Sequence, residues 1–194
     1  QIQSAISVDD TFHPSGQDYQ VNQERLHRVY EISEQLSAIP ELEDLFPKIL
    51  EFIGAVIPLT RAYLVLLDDK TGAMDYVAIS APKNEIAVSQ TILEQALKDK
   101  KTLLVSDARM DEILKNRKSV IQYKIGSVMC APLISRGRCL GLIYVESHPS
   151  KYVFTEQDLQ FFNTLAHQSA LLIDNLQRYT KVVSELKQLK KTTG

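Results

Sequence analysis

The sequence predicts an α+β domain: a central antiparallel sheet of five to six strands, with helices from both chain ends packed on one face. Three observations predict it. From Ser127 to Glu146, two apolar runs rich in β-formers flank the turn Ser135-Arg136-Gly137-Arg138, which is the signal for a β-hairpin. Arg61–Asp68 and Ala73–Ser80 repeat that arrangement around Asp69-Lys70-Thr71-Gly72. Amphipathic helical patterns then bracket both hairpins. Hairpins make neighbouring strands antiparallel, and the terminal helices must bury their apolar stripes against the sheet they bracket.

Taken in order, residues 1–16 hold Asp, Ser, Pro and Gly without helical period and read as a linker. From Gln17 to Ile39 the apolar positions Leu26, Val29, Ile32, Leu36 and Ile39 recur at three and four, the period of an amphipathic helix, and Pro40 stops it. A second helix follows, with Asp44 as cap, Pro47 in its first turn and a buried face of Leu45, Ile49, Leu50, Ile53 and Val56; Pro58 ends it. After the first hairpin, Asn84–Lys101 begins irregular and turns helical through Ile92, Leu93, Ala96 and Leu97. Thr102–Val105 is a short strand, and Asp111–Lys118 reads as one or two helical turns.

The last helix opens with Thr155 as cap and Asp158 three residues on, a capping box in which Asp replaces the usual Glu or Gln. Leu159, Phe162, Leu165, Ala166 and Ile173 form its buried face. Beyond them Ser169, Leu172, Leu176, Tyr179, Val183 and Leu186 follow one another at 3, 4, 3, 4, 3, a coiled-coil seam that one helix cannot cover by itself. Parallel pairing with a second copy would cover it, with the first helix joining to make a four-helix bundle. The resulting division is a linker over 1–16, a domain over 17–180 and a coiled-coil extension over 181–194.

Composition narrows the function. With 194 residues and 44% hydrophobic content, the chain suffices for one domain plus extensions. Its 22 basic and 24 acidic residues nearly cancel, so charge offers no reason to expect nucleic acid or a membrane surface as partner. Lys181, Lys187, Lys190 and Lys191 read as a solvated helix end. No apolar run approaches the ~20 residues of a membrane span, and the expected setting is a longer cytoplasmic protein. Cys130 and Cys139 lie on adjacent strands; with Ile134 opposite Cys139, Cys130 falls opposite Ile143, too far from Cys139 for a disulfide.

Catalytic chemistry has little support. His13, His27, His148 and His167 are scattered and form no metal spacing. Neither a P-loop, nor Gly-x-Gly-x-x-Gly, nor Gly-x-Ser-x-Gly is present, and Asp68, Asp69, Glu41, Glu43 and Asp44 occupy turn and helix-start positions with structural reasons of their own. No metal and no cofactor are expected.

The order of features in the C-terminal half carries a resemblance. Ser127 opens an apolar strand, Pro132-Leu133 stands near its end, Gly141-Leu-Ile-Tyr-Val-Glu-Ser147 forms its partner, and Phe154-Thr-Glu-Gln-Asp158 opens a long helix. This resembles a GAF domain, a small-molecule-binding and dimerising sensor module, over roughly Leu26 to Tyr179. The resemblance implies strand order 2-1-5-4-3, counted from the strand at Arg61. It also implies a ligand pocket on the sheet face away from the terminal helices, covered by about Asn84 to Ile125. It places Tyr63, Val65, Ile79, Ile92, Leu93, Ile125, Ser127 and Met129 at that pocket, with Asp107, Met110, Ile113 and Tyr123 lining the cover. The dimer interface expected from the apolar spacing of the terminal helices uses Leu26, Val29, Leu36, Leu172, Leu176, Tyr179, Val183 and Leu186.

Ser89-Gln-Thr-Ile-Leu93 and Val105-Ser-Asp-Ala108 resemble GAF domains joined to forkhead-associated domains in bacterial signalling chains, and the first ten residues are similar to the exit from such a domain. Departures bear on the ligand. Glu146-Ser147 stand where cyclic-nucleotide binders carry Asn-Lys, and Leu159 replaces their Glu. The cover has no Cys for a bilin, and no His is placed for haem. The expected function is therefore a regulatory sensor that binds an unidentified small molecule, homodimerises and signals through its terminal helices. A ligand-free dimerisation and spacer module is the alternative, and a methionine-sulfoxide-reductase-type enzyme a remote one.

Overall fold

The computed structural model describes residues 2, 4–7, 19–68, 70–81, 88–106, 126–148 and 150–192. In chain order the elements are β1 (Ser4–Ser7), α1 (Tyr19–Ser37), α2 (Leu42–Val56), β2 (Arg61–Leu67), β3 (Met74–Ser80), α3 (Gln90–Asp99), β4 (Lys101–Val105), β5 (Ser127–Ser135), β6 (Arg138–Ser147) and α4 (Glu156–Thr192). The six strands form one antiparallel sheet in the order β1-β4-β5-β6-β2-β3. From β3 through β4 this is the order the sequence implied. The sixth strand is new: Ser4–Ser7, expected within a linker, pairs with β4 and closes that edge. Four residues give too short a pattern to read, and the strand is held by its setting. Ile6 packs on the core and the Ser4 hydroxyl donates to Glu156 Oε1 at 2.7 Å.

Both hairpins form, and the turn of the second shows why its sequence works. Arg136 and Gly137 both have positive φ, 51° and 77°, the backbone of a tight two-residue turn that matches strand twist. Ser135 faces Arg138 and Ile134 faces Cys139, as expected. The register then slips by one residue between Leu133 and Ile134, so Cys130 lies opposite Tyr144 and not Ile143. The extra residue is Leu140; the bulge turns it toward the apolar core, where it is 4% exposed. Pro132, which has no N–H to give a ladder, lies beyond Cys130, where the β4–β5 ladder ends among the described residues.

Side-chain alternation divides the sheet into two faces. Ala62, Leu64, Leu104, Met129, Ala131, Leu133, Ile143 and Val145 point to α1, α2 and α4 and form the main core with Val29, Ile32, Leu36, Leu45, Ile49, Ile53, Leu159, Phe162, Leu165, Ala166 and Ile173. Each such Leu, Ile or Phe removed from water contributes about 1.5–3 kcal/mol, which is what fixes the helices on the sheet. α2 starts earlier than expected: Glu41 precedes its first residue, Asp44 lies inside the first turn beside Glu43, and Pro47 falls later in the helix. The two carboxylates still suit the helix N-terminus.

The capping box of α4 closes in both directions despite the shorter side chain. Thr155 N donates to Asp158 Oδ2 at 2.9 Å and Asp158 N to Thr155 Oγ1 at 3.2 Å. Two buried polar ties join this helix to the sheet, Thr102 Oγ1 to Asn163 Oδ1 at 2.6 Å and Ser135 Oγ to Asp174 Oδ2 at 3.1 Å. Among the described residues no helix is long and apolar enough to cross a membrane.

Candidate functional site

The second sheet face is covered by α3. Its apolar layer is Tyr63, Val65, Leu103, Val105, Val128, Cys130, Leu142 and Tyr144 from the strands with Ile92, Leu93 and Ala96 from the helix; Met74, Tyr76, Ile79, Val88 and Leu97 pack at its rim. Three tyrosines organise one side of it. Tyr63 meets Tyr76 edge-on, with ring centroids 6.3 Å apart, and meets Tyr144 at 6.0 Å. These are separations at which aromatic pairs attract beyond the area they bury.

A polar group lies at the end of this layer. Arg61 and Glu146 are cross-strand neighbours in the β2–β6 ladder, and their side chains form an ion pair in which Glu146 is buried and Arg61 nearly so. The other Glu146 oxygen accepts from Tyr144 Oη at 3.3 Å. Tyr144 Oη in turn accepts from Ser89 N at 3.4 Å, tying the start of α3 to the sheet. Ser89 Oγ is buried and has no hydrogen-bond partner among the described residues. That hydroxyl and Arg61 Nε are the buried polar atoms of this group without a hydrogen-bond partner among the described residues.

The electrostatics follow from the same placement. Burial pushes the Glu146 carboxyl above the usual range, and the guanidinium of Arg61 opposes this without cancelling it. Tyr144 is held well above its ordinary range, first by burial and then by the Glu146 charge beside it, so its hydroxyl is a neutral donor. The arrangement can orient a polar group of a ligand. It offers no nucleophile–base pair, and no cluster of three or more potential metal-ligating His, Cys, Asp or Glu occurs among the described residues.

The expected site residues divide into three groups. Tyr63, Val65, Ile92 and Leu93 are brought together here, and Ile79 joins at the rim. Ser127 and Met129 belong to the opposite face. Met129 packs in the main core, and Ser127 Oγ donates to the Val105 carbonyl at 3.2 Å while accepting from Phe154 N at 3.1 Å. On β5 it is Val128 and Cys130, one residue on from each, that face α3. Asp107, Met110, Ile113, Tyr123 and Ile125 lie outside the described residues. Sequence reasoning missed Arg61, Tyr76, Ser89, Tyr144 and Glu146. A signal was present for two of them: Tyr144 and Glu146 alternate with Ile143 and Val145 in a strand buried on both faces, where a carboxylate needs a partner.

The expected dimer positions also divide. Val29 and Leu36 are buried within the subunit, packed in its own main core. Leu172 and Leu176 are half-buried against that core. Leu26 lies on α1, its side chain outside the description. Val183 is half-buried. Tyr179 and Leu186 stand exposed, at 67% and 53%, together with Val182 and Leu189, at 54% and 64%.

Comparison with known proteins agrees with this architecture. The GAF domain family matches residues 41–173, and the chain belongs to that family. GAF domains are typically regulatory modules of signalling proteins. No curated protein matches the chain. Among solved structures it is similar to the GAF domain of a phosphoenolpyruvate-protein phosphotransferase (ptsP) from Coxiella burnetii, with TM-score 0.68 and 19% identity over 82% of this chain and 98% of that one. It is also similar to free methionine-R-sulfoxide reductase from Neisseria meningitidis in complex with its substrate, with TM-score 0.66 and 15% identity over 88% and 98%. A third is the nlh2 GAF domain of A. Aeolicus in an inactive state, with TM-score 0.63 and 12% identity over 79% and 98%. At these identities the likeness is one of fold.

Proposed function

We propose that this chain is a cytoplasmic sensor domain that holds a small molecule on the α3 face of the sheet and passes its state to a second copy through α4. The observation that carries the reading is the buried Arg61–Glu146–Tyr144 network, which reaches the backbone N–H of Ser89, a residue whose buried hydroxyl is left unpaired among the described residues. A mostly apolar layer with a few fixed polar groups is the composition of a small-molecule site. Its expected setting is a bacterial signalling chain with a forkhead-associated domain before it and an output domain after it. The switching element is the exposed part of α4, where differential ligand affinity would select one helix packing over another.

Native mass spectrometry of freshly purified protein tests both halves at once. A retained small molecule on a dimer supports the reading; a ligand-free monomer at micromolar concentration counts against it.

The spacer module without ligand remains the second reading, and one observation favours it: Tyr63 and Tyr144 are fully buried and fill the centre of the face with their own rings. A reductase reading has less support. The chain's two thiols are both pushed toward the unreactive protonated form by burial, Cys130 more strongly than Cys139.

A further inference from the structure

On the flank of α4, away from the α3 face, the tip of the β5–β6 hairpin and the helix enclose a cleft of about 510 Å³ lined by Arg136, Arg138, Asp174, Gln177, Arg178 and Lys181. Four cations thus face one carboxylate in a chain whose net charge is −2. The carboxylate is already committed. Asp174, 2% exposed, accepts from Ser135 Oγ at 3.1 Å and pairs with Arg136 Nε at 3.2 Å and an Arg138 guanidinium nitrogen at 3.7 Å. Arg178 and Lys181, one and two turns further along the helix, have no ion-pair partner among the described residues.

The backbone adds a second observation. Arg136 occupies a left-handed position, φ 51°, at the first place of a tight turn where Asn or Gly is the unstrained choice. Its guanidinium is held there by Asp174 and by Asn175 Oδ1 at 3.2 Å. A strained arginine braced by a buried carboxylate is a positioned cation, and its planar fork suits phosphate oxygens. The cleft volume lies within the range of small-molecule sites.

We infer that this cleft binds a small polyanion of the pyrophosphate class between the braced Arg136 and Arg138 of the hairpin tip and the unpaired Arg178 and Lys181 of α4. Such a ligand ties the sheet to the helix where the exposed apolar positions of α4 begin at Tyr179, and so stiffens the helix there. The site is separate from the α3 face, and its fate leaves the reading of that face untouched.

The test is calorimetric titration of the full chain with inorganic pyrophosphate at physiological ionic strength. The expected result is saturable binding of one pyrophosphate per chain, weakened about tenfold or more by Arg178→Gln with Lys181→Gln, since each lost charge-assisted hydrogen bond is a large part of such an affinity. Lys187→Gln with Lys190→Gln, on the same helix outside the cleft, should bind like the parent. All four side chains are exposed, so neither pair endangers folding. Hydrogen exchange along residues 170–185 should slow on adding pyrophosphate. Absence of saturation, equal weakening by both pairs, or one pyrophosphate per two chains would overturn the proposal.

Discussion

Arg61 and Glu146 stand directly opposite one another in the β2–β6 ladder, and their ion pair lies almost wholly out of water, with side-chain exposures of 14% and 1%. Such a pair survives only because both charges are present and Tyr144 completes the coordination of the carboxylate. Removing one partner leaves the other stranded, but the two losses are unequal. Arg61→Ala leaves a buried carboxylate and should cost about 3 kcal/mol in urea unfolding. Glu146→Gln leaves a cation that can turn toward solvent and an amide that still accepts from Tyr144, so it should cost about half as much. Equal losses would show that the pair acts by packing alone.

The same carboxyl predicts a pH dependence with a definite sign. Burial raises its folded pKa above the ordinary 4.5, with Arg61 opposing. Between the unfolded and folded values the native state therefore binds the extra proton, and stability falls as pH rises. The contribution is complete below the unfolded value and gone above the folded one. Urea midpoints of the parent measured against Glu146→Gln from about pH 4 to pH 7 should show the parent losing ground with rising pH. The parent gaining ground would mean that the Arg61 charge outweighs burial.

Two glycines make opposite predictions. Gly141 stands opposite Leu66 in the β2–β6 ladder, and a Cβ there would meet the Val65 carbonyl oxygen and Leu66 backbone, which cannot move aside. Gly141→Ala should cost about 3 kcal/mol. Gly54 lies in α2 with open space around it, so Gly54→Ala should stabilise by about 0.5–1 kcal/mol through helix propensity and a stiffer unfolded chain. Thermal unfolding of both variants checks the contrast, and similar shifts would refute it.

The fold was legible in the sequence because its signals are local. Hairpin turns at Gly72 and Gly137, the stops at Pro40 and Pro58, and the Thr155 cap each act within a few residues. The site was less legible because it depends on register. One bulged residue, Leu140, moves every later residue of β6 by one place, which puts Tyr144 opposite Cys130. Alternation gave the correct partners for Tyr63 and Val65 but could not say which face Ser127 and Met129 would share. Likewise, the three–four spacing of α1 was right, but spacing does not tell whether Val29 and Leu36 meet their own sheet or another chain.

The two thiols supply a direct check on the reductase alternative. Cys130 is buried opposite Tyr144 and Cys139 is half-buried opposite Ile134, donating to the Gly141 carbonyl at 3.4 Å. Burial pushes both thiols up, so the thiolate that would do chemistry is scarce. Ellman's reagent at mildly alkaline pH should modify neither quickly in the folded chain and both after unfolding. A fast-reacting thiol in the native protein would return the enzyme reading to consideration.

The exposed stripe on α4 predicts both an assembly and its register. Tyr179, Val182, Leu186 and Leu189 follow at three, four and three, the spacing by which two helices interlock. The expected seam shares Tyr179 and Leu186 with this stripe but runs through Val183, which is half-buried, where the exposed stripe has Val182. If a second copy covers this stripe, Val182→Glu should convert a micromolar dimer to a monomer in light scattering, and Val183→Glu should do so less completely. The melting temperature of the domain should be unchanged by Val182→Glu beyond what loss of the dimer explains, since Val182 touches no part of the core. A parent chain that is already monomeric, or a Val183→Glu variant that dissociates first, would remove the stripe from the interface.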